Sequence, residues 1–208
     1  MANRNKKFVG TVTLGERVRV TDPCYNMDTW CAGSIDNVLP GTYRAYVQYS
    51  DEGEWGERVS AIILKHTGYS SKGATAHVDF VVGVDSGTCG IFDEQFFKDN
   101  HNNEDFTSEA WKLTIIETPN PEYLPFKDFA PELFTEANKG KVDTAKYDAR
   151  YKEYLHSPQR YRSFEEFAGG VYEGKALVGS SGYGDGAYDC YTGRNADGKV
   201  VVIRVQFI

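Results

Sequence analysis

The stretch V-V-V-I-R-V-Q-F-I, residues 200–208, begins apolar on both of its faces. A strand reads this way when neighbours pair with both edges and other layers cover both sides, so the run predicts a central strand. Just before it, Asn195-Ala-Asp197-Gly198 is a hairpin turn leading back to Y-D-C-Y-T-G, residues 188–193. Working outward, T-Y-R-A-Y-V-Q-Y (42–49) and V-S-A-I-I-L-K-H (59–66) flank the turn Asp51-Glu52-Gly53-Glu54. Residues 8–20 alternate apolar and polar around Gly15-Glu16, and H-V-D-F-V-V-G-V-D-S (77–86) and E-A-W-K-L-T-I-I-E-T (109–118) read as further strands. Aromatics and glycine are abundant, with 14 Tyr, 12 Phe, 3 Trp and 21 Gly, as strands joined by tight turns require. The expected fold is mainly β (α+β), a β-sandwich or partly closed barrel formed by residues 1–208 as a single domain.

Residues 119–174 read differently and predict a helical insertion within that domain. Pro131 suits a first helical turn and Gly140 closes it. Asp143 is an N-cap for a helix over 143–156 that lines up Tyr147, Tyr151, Tyr154 and Leu155. Ser163-Phe-Glu-Glu166 fits a capping box for a short helix stopped by Gly169-Gly170. Six Tyr, at 123, 147, 151, 154, 161 and 172, are too many for one short helix to hide. The insertion is therefore expected near a site or at a homo-oligomer contact.

No apolar run approaches about 18 residues, and M-A-N-R-N-K-K-F-V-G lacks the apolar core of a signal peptide. A cytoplasmic protein with no membrane partner is expected. The net charge is −7, from 23 Lys and Arg against 30 Asp and Glu. That balance argues against extended nucleic acid as a partner, while leaving room for a pocket that takes one small anion. Cys24, Cys31, Cys89 and Cys190 match no zinc spacing and read as reduced, mostly buried thiols. No metal site is assigned and the cofactor is unknown.

Three polar, Gly-rich stretches stand at strand ends: Thr21-Asp22-Pro23-Cys24-Tyr25, Gly83 to Asp93 (G-V-D-S-G-T-C-G-I-F-D), and Ser180-Ser181-Gly182-Tyr183-Gly184-Asp185-Gly186. Taken singly, each reads as a turn in which Asp caps nearby N–H groups. Taken together, they share an Asp/Ser/Gly/Tyr palette that plain turns do not need. A buried cluster of Asp22, Asp85, Asp93 and Asp185 would repel itself unless a proton, a cation or ligand donors intervened. The candidate ligand-binding residues are Asp22, Tyr25, Asp85, Ser86, Asp93, Ser181, Tyr183 and Asp185, with Arg58 for a ligand anion. A Cys24–His66 nucleophile–base pair is a weaker alternative. G-Y-G-D-G leads into a strand rather than a helix, so it is no dinucleotide fingerprint. No P-loop, zincin or hydrolase-elbow motif occurs.

The segments V-T-D-P-C-Y, V-L-P-G-T-Y-R-A-Y-V, W-G-E-R-V-S-A-I-I-L-K-H, V-G-V-D-S-G-T-C-G-I-F-D and S-S-G-Y-G-D-G-A-Y-D-C-Y-T-G-R-N-A-D-G-K-V-V-V-I-R-V-Q-F resemble, in order, a family of bacteria and their phages, domain of unknown function 4241. The resemblance covers roughly residues 10–100 and 176–208. It implies a β-rich fold and phage or mobile-element settings, and it brings no reaction.

Two functions of different class follow. One is a small-ligand-binding protein, holding a polar and perhaps nucleotide-derived molecule such as a host immune signal among Gly-rich loops, Asp and Tyr. The alternative is a phosphodiesterase-like hydrolase using the Asp cluster, with or without a divalent metal. A structural, virion-associated protein is a third reading.

Overall fold

A computed structural model describes residues 5–69, 76–116, 126–157 and 166–208. Two antiparallel sheets dominate it. The first has six strands in the order β1 (Asn5–Leu14), β4 (Gly41–Asp51), β5 (Glu57–His66), β13 (Val200–Gln206), β12 (Gly186–Arg194) and β6 (Ala76–Val84). The second has five, in the order β10 (Gly169–Tyr172), β11 (Ala176–Ser180), β7 (Thr88–Asp93), β2 (Val18–Thr21) and β3 (Gly33–Ile35). The sheets are not closed into a barrel; they form the sandwich alternative. The expectation for residues 200–208 is met, since β13 lies between β5 and β12.

Alternation decides which side chains meet between the sheets. Val12, Tyr43, Ala45, Val47, Ile62, Leu64, Ile203 and Val205 of the six-stranded sheet join Val18, Val20, Ile91 and Leu177 of the other in one buried cluster. Each buried aliphatic there contributes about 1.5–3 kcal/mol over its exposed state. The opposite face of the five-stranded sheet presents Phe92, Ala176 and Val178. They are covered by Phe97 of α1 (Glu94–Asn100) and by Phe106 and Ala110 of α2 (Glu104–Lys112).

α2 corrects the reading of residues 109–118 as a strand. Among its described residues, only Ile115–Ile116 is extended (β8), and it forms a two-stranded sheet with β9 (Glu166–Phe167). The Asn103 side chain accepts from the Asp105 N–H at 2.9 Å, and Glu104 and Asp105 suit the first turn. Phe106, Ala110 and Leu113 then recur at helical spacing against the sheet. The stretch A-W-K-L-T-I-I also fits alternation, and the cap upstream of it decided the outcome.

The chain divides into two compact units, residues 1–116 with 167–208 and residues 117–166. In the second, α3 (Phe126–Phe129) is followed by 3-10 turns at Pro131–Leu133 and Glu136–Asn138 and by α4 (Thr144–Leu155). The Asp143 carboxylate caps α4, accepting from the Ala145 N–H at 2.8 Å. Phe126 makes ring contacts with Tyr147, Tyr151 and Tyr154, the face expected from the sequence. Gly140 closes no α-helix; it follows the two 3-10 turns.

The helix expected after Ser163 is also corrected where the structure describes it. Glu166–Phe167 is extended, and Gly169–Gly170 opens strand β10. A Cβ on Gly169 would stand 2.6 Å from the Val178 carbonyl oxygen, so this glycine allows two strands to approach rather than ending a helix. Tyr172 accordingly leaves the inserted helices and packs on Phe96 and Phe106. Tyr123, Tyr161 and residues 163–165 lie outside the described residues. Among those described, no helix is long and apolar enough to cross a membrane.

The sheets press together at Gly179, where a Cβ would come 2.5 Å from Ile62 Cγ2. Gly179→Ala should lower stability by about 1–3 kcal/mol through overpacking. A urea melt should show a reduced midpoint at unchanged slope. An unchanged midpoint would mean the two layers do not meet there.

Candidate functional site

β2 ends at Thr21, and the next residue is a fully buried carboxylate. Asp22 Oδ2 accepts from the N–H groups of Asp85 (2.9 Å) and Ser86 (2.7 Å). Its Oδ1 accepts from the Ser86 hydroxyl and the Cys24 N–H, each at 2.8 Å. A buried carboxylate is tolerable only when donors surround it in this way. Asp22 therefore ties the β2 end to the turn between β6 and β7.

The third loop joins them through its backbone. The Ser181 N–H donates to the Gly87 carbonyl at 2.9 Å. Gly87 (φ +70°) and Gly184 (φ +111°) adopt left-handed backbone, and a Cβ on Gly87 would lie 3.8 Å from Gly184 Cα. Within the loop, the Gly184 carbonyl accepts from the Ser181 hydroxyl at 2.7 Å and from the Tyr188 hydroxyl at 2.6 Å. The Tyr188 ring in turn stands edge-on to Phe207, centroids 5.1 Å apart. All three Gly-rich stretches thus meet at one end of the sandwich.

Two exposed carboxylates emerge there. Val84 pairs with Gly186 across β6 and β12, so Asp85 and Asp185 leave the ladder from facing positions. The Tyr25 hydroxyl bonds to Asp85 and lies against Cys31; burial first, then these hydrogen bonds, push the phenol above its usual range. Tyr183 is 57 % exposed, and its hydroxyl donates to Glu52 Oε2 at 2.7 Å, which raises its proton affinity. Arg58 lies 4.4 Å over the Phe167 ring, donates through Nε to the Trp55 carbonyl at 3.0 Å, and its charge acts on Tyr183.

The candidates therefore have different placements. Asp85, Tyr183 and Asp185 are exposed at the loop cluster, with Tyr25 beside them. Asp22 and Ser181 are buried and hold the loops, and Ser86 is committed to Asp22. Asp93 stands apart, at the far end of β7. Its Oδ1 caps α1 through the Phe96 N–H (3.2 Å), and its Oδ2 accepts from the Gly15 N–H (2.9 Å). The four Asp do not form one cluster. Asp93 followed by Glu94 and an apolar pair was a legible N-cap signal. Glu52 and Cys31 were missed, and a turn glutamate carries no sequence mark of the tyrosine it will meet.

His66 ends β5 away from the Glu52–Arg58 turn. Its Nδ1 accepts from the Gly68 N–H at 3.0 Å, and its ring packs edge-on against Tyr43. Cys24 lies instead beside Asp22 and Ser86, so the nucleophile–base pairing has no geometric support. Burial first, then the Asp22 charge, raises the Cys24 thiol, and burial raises Cys89 and Cys190. Among the described residues, no group of three His, Cys, Asp or Glu is placed to hold a metal ion.

The family model described as Protein of unknown function (DUF4241) matches residues 15–205, so the chain belongs to that family. The match also runs through residues 101–175, beyond the two stretches that carry the resemblance in sequence. No curated protein and no solved structure matches the chain.

Asp22→Ala strands three N–H groups at once. It should lower stability by about 2–4 kcal/mol, against about 1–2 kcal/mol for Asp93→Ala, which loses a helix cap and the Gly15 N–H bond. Chemical melts of the two variants check the order, and equal losses would deny Asp22 its special place. A raised thiol means less thiolate at a given pH. At pH 7.5 iodoacetamide should leave Cys89 and Cys190 unlabelled and modify Cys24 slowly, its rate rising above the ordinary thiol value of about 8.5. Peptide mapping at pH 7.5 and 9.5 reads this out, and fast labelling of Cys24 at pH 7.5 contradicts it.

Proposed function

We propose that the protein binds a small polar molecule at the loop cluster of Asp85, Tyr183 and Asp185. The observation that carries this reading is the meeting of three Gly-rich loops, two tied by buried Asp22 and the third by the Ser181–Gly87 bond, with Asp85 and Asp185 leaving facing strand positions and Tyr183 exposed beside them. Adjacent carboxylates repel, and a ligand bringing several N–H or O–H donors relieves that repulsion. The Tyr183 face suits stacking of a planar ring, and Arg58 stands near Tyr183 to meet a negative group. A nucleotide-derived molecule offers all three features: amino and hydroxyl donors, a base and a phosphate. Carried by a phage, such a protein would act by sequestering a host signal nucleotide. Binding is favoured over hydrolysis because the Asp22 oxygens are already taken by donors of the protein itself.

The test is calorimetry with a panel of nucleosides, mononucleotides and cyclic dinucleotides, run on the native protein and on Asp85→Ala and Asp185→Ala. Losing a charged hydrogen-bond acceptor should weaken binding about tenfold or more, while the exposed positions shift stability by only about 0.5 kcal/mol. Variants that bind as the parent does would overturn the assignment. Turnover of any panel member would replace it with the hydrolase reading.

A further inference from the structure

Of the four edges of the two large sheets, three are guarded, and the fourth, β6, is unpaired along most of its length among the described residues. On one side of the sandwich β1 and β10 meet. The Thr13 N–H donates to the Gly174 carbonyl at 2.8 Å, and a Cβ on Gly10 would stand 3.1 Å from Val171 Cγ2. β1 also carries exposed Lys6 and Lys7 and a bulge between Phe8 and Gly10, devices that keep an edge from recruiting another strand. On the other side β3 offers three residues, Gly33–Ile35, against the nine of β6. Among the described residues, β6 has one ladder partner, β12.

This edge is apolar. Phe80, Val82 and Val84 turn into the core, while Val78 and Val81 are each 52 % exposed. Asp79 is an extra residue between the pairs Val78–Tyr191 and Phe80–Cys190, and the bulge leaves both valines on the face of Tyr191 and Asp189. The Gly83 N–H donates to the Cys31 carbonyl at 2.8 Å, so it points away from β12. By alternation the backbone groups of Val81 point the same way. Those of Val78 repeat it, because its partner Tyr191 lies two residues beyond Asp189, the partner of Val81. The Cys31 contact also sets Trp30 beside this edge, and Trp30 is 92 % exposed, the most of any large apolar side chain among the described residues.

We infer that β6 is the contact between two copies of this chain, paired antiparallel about a two-fold axis at the Asp79–Phe80 step. That axis sets Val78 across from Val81 of the second copy, and Val81 across from its Val78, so exposed valines cover one another. The two six-stranded sheets then continue as one. A head-to-tail contact would need a second open edge, which β1, β3 and β10 do not offer; a two-fold contact uses the same edge twice. Charge limits its strength. The net charge of −7 makes copies repel, and this strand adds a single carboxylate, Asp79, held by Arg194 at 3.7 Å. The two Asp79 approach each other near the axis. The inference is independent of the loop-cluster ligand, since it uses none of Asp85, Tyr183 and Asp185.

Sedimentation velocity on the whole chain tests it, at loadings from well below to well above the expected Kd. A strand edge is a small interface, so the dimer should form with a Kd of about 1–100 μM. Val81→Lys should weaken it by about tenfold or more. The added cation lowers the repulsion between copies, so that loss would come from the edge itself. Trp30→Ser should weaken it by about threefold or more. Asp79→Asn should tighten it by removing the two carboxylates near the axis. Tyr147→Ser with Tyr151→Ser, on the inserted unit, should change nothing, and neither should Asp185→Ala. Val81→Lys and Trp30→Ser are at exposed positions, and melts below the Kd should match the parent, which separates a lost contact from a lost fold. Amide exchange at Val78 and Val81 should slow as concentration rises. A monomer at every loading, a dimer indifferent to Val81→Lys, a dimer lost with the Tyr147 and Tyr151 changes, or association that grows beyond two copies would each overturn the inference.

Discussion

The hydrogen bonds of Asp22 are the constraint on which one end of this molecule depends. A carboxylate without solvent is among the least favourable groups to place in a protein interior. Here it gathers three backbone N–H groups and a serine hydroxyl from two separate segments. The arrangement fixes the path of the β6–β7 turn. That turn sets Gly87, Gly87 receives the Ser181 N–H, and the 181–185 loop is thereby placed. The steps run through the Asp22 carboxylate and backbone groups, so the geometry tolerates change in the exposed side chains better than change in the supports. The division is visible residue by residue: Asp22 and Ser181 hold, while Asp85, Tyr183 and Asp185 face outward.

The two sheets are treated unequally. The outer face of the five-stranded sheet is apolar and aromatic, and α1 and α2 cover it with Phe96, Phe97 and Phe106 around Phe92. The outer face of the six-stranded sheet instead mixes Phe8, Tyr46 and Tyr191 with Lys6, Arg44, Lys65 and Arg204. Its Ile63 is 4 % exposed.

Much of the sheet was legible in the sequence because period-two alternation and hairpin turns are local signals. The strands 42–49, 59–66 and 77–86 and the central strand of residues 200–208 needed no long-range information. Residues 109–118 were misread because a seven-residue apolar pattern fits either period, and the deciding cap at Asn103 lies upstream of it. Pairing order was not legible: the turn at Gly15-Glu16 divides residues 8–20, but nothing local says that β1 joins one sheet and β2 the other. At the site, the choice of stretches came from composition, while their roles came from burial. Asp22 and Asp85 look alike in sequence, and only the fold makes one a buried support and the other an exposed group beside Tyr25.

The position of β13 has a consequence for how such a chain is made. The strand that joins β5 to β12 is, of the thirteen among the described residues, the last to leave the ribosome. Until residue 206 has emerged, β1, β4 and β5 can form one ribbon and β6 and β12 another, each with an open apolar edge. A nascent or prematurely terminated chain is therefore two half-sheets with matching adhesive margins, which is the state most open to pairing with a neighbour. Shielding of nascent chains, rather than intrinsic folding speed, would then govern the yield of correctly assembled molecules.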